Sequence, residues 1–476
     1  MLGIIILAVI VVFIAVILIR TLAFKPKADS YDVSGEVEVD KDAAINALQQ
    51  LVRCKTVSYH DSSLEDDAEF EKLENLLPEL YPEVYKTCTL TKPHKRALFF
   101  KWEGRKHDAP AVMMAHYDVV PVNEEGWEKP PFEGIIEDGV LWGRGTLDTK
   151  VTMNGVLSAA NALIKEGFVP ENDIYFAFSG GEEISGEGAV KIVDWFEENG
   201  ITPALVVDEG GGVVADVFPG VKKDCAMIGT AEKGMMNARF TAKSSGGHAS
   251  APKRHTPIGD LSQVCCDIEN NPFPMHITGP IAEMFDTLGR HSTFLFRMIF
   301  ANLWLFKGVI NMISKSGGDM NALLRTTVAF TQASGSSAPN VIPPEADMVA
   351  NLRINPAESV QSVKDRLFSF AAKRNITVTI DDSSEPSPIS ETGCDAWNKV
   401  ASAVAGTWKG SIVTPYLMMQ ASDSRHYSRI SNHVSKFSAM DLTAAERGTI
   451  HGHNERIRLE VICRAVEFYV RLMRQC

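Results

Sequence analysis

The chain has 476 residues, of which 45% are hydrophobic and 22% charged, with a formal net charge of −13. This balance is typical of a globular protein and excludes disorder as its main property, and the length predicts two domains. The acidic excess, with no block of lysines and arginines to offset it, disfavours nucleic acid as a partner, because a phosphate backbone would be repelled. The eight cysteines form no CxxC pair, which favours free thiols over a disulfide framework or a thiolate zinc site.

Residues 1–20 predict a transmembrane helix. Leu2 to Ile19 is an unbroken run of eighteen apolar residues, which spans roughly 27 Å as a helix and matches a bilayer core. A cleaved signal peptide is the alternative, but it typically carries its positive charge before the apolar run, whereas here Arg20, Lys25 and Lys27 follow it. We therefore expect a single-pass N-terminal anchor. The three charges favour a cytoplasmic catalytic part, and the side of the membrane stays open.

The rest of the chain predicts an α/β domain interrupted by an insert. Residues 21–38 mix Pro, Gly, Ser and charge without periodicity, as a linker does. Over 39–233 apolar strand patterns alternate with helical ones, which predicts a mostly parallel sheet. We expect residues 383–476 to complete this domain.

Between 234 and 382 the pattern changes to strands with one exposed face and a helical stretch between the last two. This predicts an inserted α+β domain with an antiparallel sheet and helices on one face. Within it, Phe294 to Ile313 is a second apolar region, interrupted by Arg297, Asn302, Lys307 and Asn311. We interpret this region as amphipathic helices that cover the insert, with contact to a membrane or an acyl chain as the alternative.

Five polar clusters follow the ends of predicted strands, where open α/β sheets place their ligands. In chain order they are His116-Tyr117-Asp118, Gly143–Lys150, Ser179–Glu183, Asp208–Gly211 and His451–Glu455. Adjacent acids after a buried strand repel each other and are easier to understand beside cations. Histidines and carboxylates at long spacings exclude a zinc finger and favour a catalytic site assembled from loops. Such ligands suit two zinc ions that share a bridging carboxylate.

Each cluster taken alone has a simpler interpretation. His116 alone would be a hydrogen-bonded histidine at a strand end, and Asp148 alone could cap the helix that follows it. Arg353, in a predicted strand of the insert, would by default form a surface salt bridge. The order and number of the clusters decide against these separate interpretations.

The order HYD, GRGTLDTK, GGEE, DEGG and HGHNE resembles the aminoacylase/carboxypeptidase metallopeptidase family, from about Asp40 to the C-terminus. Within it, the chain looks most like the carboxypeptidase S (Gly-Xaa carboxypeptidase) and N-acyl-amino-acid hydrolase branch. The resemblance implies a di-zinc peptidase domain with an inserted lid domain. Its two zinc ions per subunit would be held by His116 and Asp208 on one side and by Glu183 and His451 on the other, with Asp148 bridging. Glu209 is the alternative to Asp208, and His453 is a bystander.

The same resemblance implies roles in catalysis. Glu182 would be the general base that takes a proton from the attacking water and passes it to the leaving amine. Asp118 would orient His116. In the insert, the motif Gly247-His248-Ala249-Ser250 matches the histidine that would donate to the oxyanion.

Two further residues of the insert, Asn340 and Arg353, match the pair that would hold the substrate carboxylate, since a guanidinium binds a carboxylate through two parallel hydrogen bonds. The implied reaction is hydrolysis of the amide bond next to a free C-terminal amino acid, in an N-acyl amino acid or a small peptide. A dipeptidase or aminoacylase of different acyl specificity is the first alternative. A catalytically dead, membrane-anchored binding protein is the second. A homodimer through the insert is also implied.

Overall fold

The protein is described by a computed structural model that covers residues 1–27, 31, 33 and 35–476, so part of the predicted linker lies outside the described residues. The helices are α1 (Leu2–Ala23), α2 (Lys41–Val52), α3 (Asp67–Leu80), α4 (Pro82–Thr87), α5 (Lys150–Lys165), α6 (Gly188–Glu198), α7 (Pro257–Asn270), α8 (Gly279–His291), α9 (Phe294–Ala301), α10 (Leu303–Ser314), α11 (Gly318–Leu324), α12 (Val360–Ala371), α13 (Asp395–Thr407), α14 (Ala444–Arg447) and α15 (Leu459–Met473).

The strands are β1 (Thr89–Thr91), β2 (Ala97–Trp102), β3 (Lys106–His116), β4 (Ile135–Glu137), β5 (Val140–Trp142), β6 (Asn172–Ser179), β7 (Leu205–Asp208), β8 (Gly212–Val214), β9 (Cys225–Glu232), β10 (Gly234–Lys243), β11 (Gly247–His248), β12 (Thr327–Ser334), β13 (Val341–Ile342), β14 (Glu345–Ile354), β15 (Thr377–Ser384), β16 (Ile412–Met418), β17 (Val434–Lys436), β18 (Asp441–Leu442) and β19 (Arg456–Arg458).

A ten-stranded sheet forms the centre of the α/β domain. Its order is β1-β2-β6-β3-β7-β17-β9-β8-β18, with β16 paired to β9. The neighbours β6, β3 and β7 are parallel, whereas β1-β2, β2-β6 and β8-β9 are antiparallel. The pairs β7-β17, β9-β16 and β8-β18 are also parallel and β9-β17 is antiparallel. The sheet is therefore mixed, with five parallel and four antiparallel pairs among the described strands. Strands joined by short connections, such as β1-β2 and β8-β9, have no room for the crossover that parallel pairing needs.

Helices cover both faces of this sheet. Because side chains alternate along a strand, β2 sends Phe100 into the core beneath α5 and α15 and Phe99 into the core beneath α6. Both faces are thus buried. This explains why the strand sequences are continuous apolar runs.

The insert holds a separate four-stranded antiparallel sheet of order β12-β14-β10-β15. The burial of β10 alternates along its length, with Met236, Ala238 and Phe240 facing a core that α7 and α12 complete. Within the same stretch of sequence, β11 and β13 pair with each other as a separate two-stranded antiparallel ribbon.

The helices α9 and α10, which form the apolar region Phe294 to Ile313, differ from the expectation that they cover the insert. Phe300 packs instead against Phe218, with ring centroids 4.7 Å apart, in a core that includes Ile412 of the large sheet. The apolar face of an amphipathic helix indicates that this face is buried, but it does not indicate which element of the fold covers it. The helices α9 and α10 are bent by 108° relative to each other.

The N-terminal helix α1 is long and apolar enough to cross a membrane, a property that a signal sequence shares. Its most apolar eighteen residues are not buried in the structure. It extends three residues beyond the predicted end, to Ala23, and its last turns contact α9.

Candidate metal centre

Three parallel strands bring the predicted clusters to one edge of the large sheet. His116 is the last residue of β3, Ser179 ends β6 and Asp208 ends β7. The carboxyl ends of adjacent parallel strands point the same way, so the loops that follow them converge. Glu182 and Glu183 lie in a single 3-10 turn directly after β6.

Asp148 lies between the two predicted histidine ligands. Its Oδ1 is 2.9 Å from His116 Nε2, and its Oδ2 is 3.0 Å from His451 Nε2. His116 Nε2 is also 3.4 Å from Glu209 Oε1, and His451 Nε2 is 3.2 Å from Glu183 Oε2. Each oxygen of one carboxylate thus faces a different imidazole, as a bridging ligand requires.

Two sets of side chains have ligand atoms within 4.8 Å of one another: His116, Asp148 and Glu183, and His116, Glu182 and Glu209. Burial opposes the charge on these acids and raises the pKa of Glu182 well above its usual value and that of Glu209 to about 8. Burial acts on Asp148 too, but hydrogen bonds from both histidines outweigh it and hold the pKa of Asp148 well below its usual range.

The site therefore concentrates acids that repel one another in a place with little water, and cations would relieve that repulsion. Among the described residues, the buried Oε1 of Glu183 has no hydrogen-bond partner, so it is available to a cation. Two imidazoles and several carboxylates, without a thiolate, are the donor set of catalytic zinc sites. The residues present fit two divalent cations.

Asp118 joins His116 to the Glu182-Glu183 turn. Its fully buried carboxylate accepts hydrogen bonds from the backbone N–H of Glu182 (3.1 Å) and of Glu183 (3.2 Å) and from Ser58 Oγ (2.7 Å). His116 Nδ1 is 3.0 Å from the Asp118 backbone oxygen and 3.4 Å from its Oδ1. These contacts orient the ring so that Nε2 points at Asp148.

The structure brings Glu209, not Asp208, to His116. Asp208 is buried on the other side of the strand, where its Oδ2 accepts a hydrogen bond from the Ser424 N–H at 2.9 Å. Alternation explains the difference: Val206, two residues earlier, faces the core beneath α6, and Asp208 follows it. The Glu209 carboxylate lies on the opposite side from Asp208, close to His116 Nε2 as Asp148 is.

Two residues that were not among the predicted site residues, Arg144 and Glu455, hold together the loops that carry Asp148 and His451. Glu455 Oε1 accepts hydrogen bonds from the backbone N–H of Leu147 (2.7 Å) and Asp148 (3.2 Å), and Glu455 Oε2 accepts one from Arg144 Nη1 (2.5 Å). Glu455 is fully buried. Arg144 lies inside the motif GRGTLDTK and Glu455 inside HGHNE. Their position beside the predicted ligands is the sequence signal that could have identified them.

The loop Ser422–His426, which received no predicted role, supports the same edge. The Ser424 N–H fixes Asp208, and Ser179 Oγ donates to Asp423 Oδ2 at 2.5 Å. Burial raises the pKa of Asp423 to about 6, and its Oδ1 has no partner.

The predicted residues of the insert form a second group. The motifs around His248 and Asn340 meet in the β11-β13 ribbon, where His248 pairs with Val341. The Ala249 N–H donates a hydrogen bond to the backbone oxygen of Asn340 at 2.9 Å. In the part of the chain that the structure describes, His248, Asn340 and Arg353 have no hydrogen bond or ion pair with the metal ligands. Arg353 likewise has no carboxylate within ion-pair distance among the described residues.

A cavity of about 570 Å³ begins at Asp148 and Glu209 and runs beneath α8 and α11. Its walls are mainly apolar and rich in methionine, including Met227, Met284, Leu288, Met320, Leu323 and Met418. Methionine adapts its shape to an irregular occupant. The volume is that of a small-molecule site.

The sequence profile of the peptidase family M20/M25/M40 matches residues 112–475. The chain is 32% identical over 474 residues to the N-fatty-acyl-amino acid synthase/hydrolase PM20D1 of Xenopus tropicalis, covering 97% of this chain and 92% of the relative. It is 31% identical to the probable carboxypeptidase S-like 2 of Dictyostelium discoideum, covering 96% and 91%.

The fold matches solved structures at lower identity. The metallo-carboxypeptidase Sso-CP2 of Sulfolobus solfataricus superposes with a TM-score of 0.67 at 15% identity, over 90% of this chain and 98% of that one. A dinuclear metal-binding peptidase of Bacillus subtilis superposes with a TM-score of 0.55 at 13% identity, over 91% and 98%. The sequence matches confirm the resemblance carried by the motifs and the expectation of a hydrolytic enzyme: the chain belongs to peptidase family M20/M25/M40.

Proposed function

We propose that the chain is a di-zinc hydrolase that cuts the amide bond between a long acyl group and a free amino acid. One observation carries this proposal: a cluster of two histidines and four carboxylates borders an apolar cavity through Asp148 and Glu209. The cluster supplies the reaction and the cavity supplies a place for the acyl chain.

The ligands divide around Asp148. His116 and Glu209 would hold one zinc ion, His451 and Glu183 the other, and Asp148 both. We propose Glu209 in place of Asp208 because of its position beside His116. Two zinc ions there would polarise the scissile carbonyl and lower the pKa of the attacking water.

Glu182 is the proposed general base. It takes a proton from the water as the water oxygen bonds to the carbonyl carbon, and it gives that proton to the nitrogen as the carbon–nitrogen bond breaks. Asp118, through its bonds to the backbone of Glu182 and Glu183, holds this carboxylate in place.

The amino-acid part of the substrate would be held by the insert. Arg353 is half-buried and its guanidinium has no carboxylate partner among the described residues, which suits it to a substrate carboxylate. Asn340 would assist it, and His248 would donate to the oxyanion. Since these residues form no bond to the metal ligands here, the insert must approach in the complex or act from a partner subunit through a homodimer.

A carboxypeptidase that releases the last residue of a Gly-Xaa peptide is the second candidate, and a relative is named for carboxypeptidase S. The methionine-rich wall favours the acyl substrate, since a glycyl group would leave most of the cavity empty. An aminoacylase for short acyl groups is disfavoured for the same reason.

We further propose that α1 is a retained membrane anchor. Arg20 Nη2 donates to the Ala301 backbone oxygen at 3.0 Å, and Asn302 Nδ2 donates to Thr21 Oγ1 at 3.3 Å. Such specific contacts with the folded chain support a helix that stays, rather than a signal sequence that is removed.

The test combines metal analysis with a substrate panel on the full-length purified chain. The panel compares acetyl, octanoyl and oleoyl derivatives of one amino acid, their carboxyl methyl esters, and the Gly-Xaa dipeptide. We expect two zinc ions per chain and the highest kcat/KM for the oleoyl compound with a free carboxylate. Preference for the dipeptide would favour the carboxypeptidase, and zinc without release of any amino acid would favour a binding protein.

A further inference from the structure

The helices α9 and α10, here named the interfacial hairpin, expose an unusual number of large apolar side chains. Phe294, Leu295, Trp304, Met312 and Ile313 are between 52% and 67% exposed. Soluble proteins rarely expose so many neighbouring apolar groups unless a partner or a membrane covers them.

The charged residues of the interfacial hairpin indicate which kind of partner covers its apolar side chains. The interfacial hairpin contains the basic residues Arg297 and Lys307 and no acidic one, and Lys315 directly follows it, in a chain whose formal net charge is −13. Exposed Phe, Leu and Trp side chains together with Lys and Arg are typical of helices that lie in the headgroup region of a bilayer.

The hairpin is also continuous with a helix that is able to cross a membrane. Besides the bonds from Arg20 and Asn302, the rings of Phe13 in α1 and Trp304 in α10 meet edge to face, with their centroids 5.9 Å apart. The exposed apolar surface of α1 therefore runs directly into that of the hairpin. A bilayer that surrounds α1 reaches Trp304.

The shape excludes a second crossing. The two helices have 8 and 12 residues and bend by 108° at their junction, and a helix of 12 residues is only roughly 18 Å long, against about 30 Å for a bilayer core. A hairpin of this length lies in one leaflet.

We propose that the interfacial hairpin is embedded in the lipid leaflet beside α1, as a second membrane contact of the chain. The neighbouring helices α8 and α11 form walls of the apolar cavity through Met284, Leu288, Met320 and Leu323. The leaflet therefore borders the cavity, and a long-chain acyl substrate enters from the lipid. This last step rests on the proposed function, whereas the embedding does not.

The embedding is tested with the full-length chain in vesicles of phosphatidylcholine and phosphatidylserine whose acyl chains carry bromine, which quenches tryptophan on contact. Trp304→Phe removes the tryptophan of the hairpin. Trp195→Phe is the matched control, because Trp195 packs against Phe99 in the catalytic core. We expect the amount of fluorescence that the bromolipid quenches to fall in W304F and to stay at the wild-type amount in W195F, which loses only unquenched fluorescence.

Equal quenching in the wild type and W304F would overturn the proposal. A disulfide between two copies of Met312→Cys, with Trp304 protected from the bromolipid, would assign the face to a second copy of the chain and would also overturn it.

Substrate entry is tested by Leu295→Ser, Met312→Ser and Ile313→Ser combined. The matched control replaces Leu64, Val169 and Ile389 with serine as well, because these apolar side chains are exposed elsewhere on the protein. We expect a severalfold higher KM for an oleoyl substrate presented in vesicles, an unchanged KM for a soluble acetyl substrate, and no effect of the control. Quenching without hydrolysis of any acyl compound would refute the proposed function and leave the embedding in place. An unchanged KM in the triple variant would refute entry from the lipid.

Discussion

Glu182 combines the two properties that a general base needs: a fixed position and a tuned pKa. Its backbone is bound by Asp118, and burial together with the neighbouring acids raises its pKa, while His116 acts in the opposite direction. A bound cation would lower that pKa again, towards a value suited to proton transfer near neutral pH.

We expect Glu182→Gln to retain both zinc ions and to lose turnover by about 10²- to 10⁴-fold, because an amide cannot accept the proton. Zinc content and kcat are the measurements. Glu187→Gln, exposed in the same segment, is the control and should be unchanged. Normal turnover in E182Q would show that another group is the base.

Asp208 and Glu209 can be distinguished by metal content. After dialysis, Glu209→Gln should hold fewer than two zinc ions per chain, because a neutral amide is a poorer ligand than a carboxylate. Asp208→Asn should still hold two, since Asp208 contacts the Ser424 N–H rather than His116. The reverse pattern would restore Asp208 as the ligand.

The choice between these two acids shows where sequence reasoning stops at the residue scale. The residues of β7 before Asp208 are all apolar because both faces of the sheet are buried, so no alternation marks which side chain faces which core. The motif indicated two adjacent acids, and only the three-dimensional arrangement separates them. His116, Asp148, Glu183 and His451, by contrast, lie together as the resemblance implied.

At the scale of elements, the Arg144–Glu455 ion pair links the loop before α5 to the loop before β19. Both side chains are buried, and removing one member of a buried pair leaves the other charge uncompensated.

We therefore expect Glu455→Gln to lower the free energy of unfolding by about 3–5 kcal/mol, because the amide nitrogen cannot accept the Arg144 hydrogen bond and leaves that buried charge unpaired. We also expect weaker zinc binding, because the loop that carries Asp148 is then less firmly held. Urea denaturation and zinc titration measure the two effects. Glu460→Gln, exposed nearby, should change neither. An unchanged free energy of unfolding in E455Q would show that the Arg144–Glu455 ion pair does not stabilise the fold.

Met320 of α11 lines the cavity and is only partly buried. Met320→Trp should fill part of the cavity and raise KM for the oleoyl substrate more than for the acetyl one. The exposed Ile258→Trp in α7 serves as the control. An equal effect on both chain lengths would place the acyl group elsewhere.

The expectation for Phe294–Ile313 shows the corresponding limit for elements. Interrupted apolarity correctly predicted amphipathic helices, and chain position suggested the insert as their partner. The partner is the large sheet, through Phe218 and Ile412, because contacts between elements far apart in sequence leave no local signal.

At the scale of the whole molecule, the insert and the α/β domain carry different parts of the proposed reaction. Arg353→Lys should raise KM for substrates with a free carboxylate by roughly 10- to 100-fold, because lysine cannot form the two parallel bonds. Methyl ester substrates should be unaffected. Arg239→Lys, on β10 of the same sheet and paired with Asp381, is the control. An equal loss on esters would exclude a carboxylate clamp.

Arg144 and Glu455, which tie the two metal loops together, are 311 residues apart in the sequence. The proposed ligands beside them come from both ends of the α/β domain, so a fragment that lacks either end would not offer the complete set. An ion that binds only the assembled set stabilises the folded chain and not the unfolded one, in proportion to its concentration. The lifetime of the protein in a cell should therefore follow the supply of metal, with depletion exposing the chain to proteases as well as stopping its reaction.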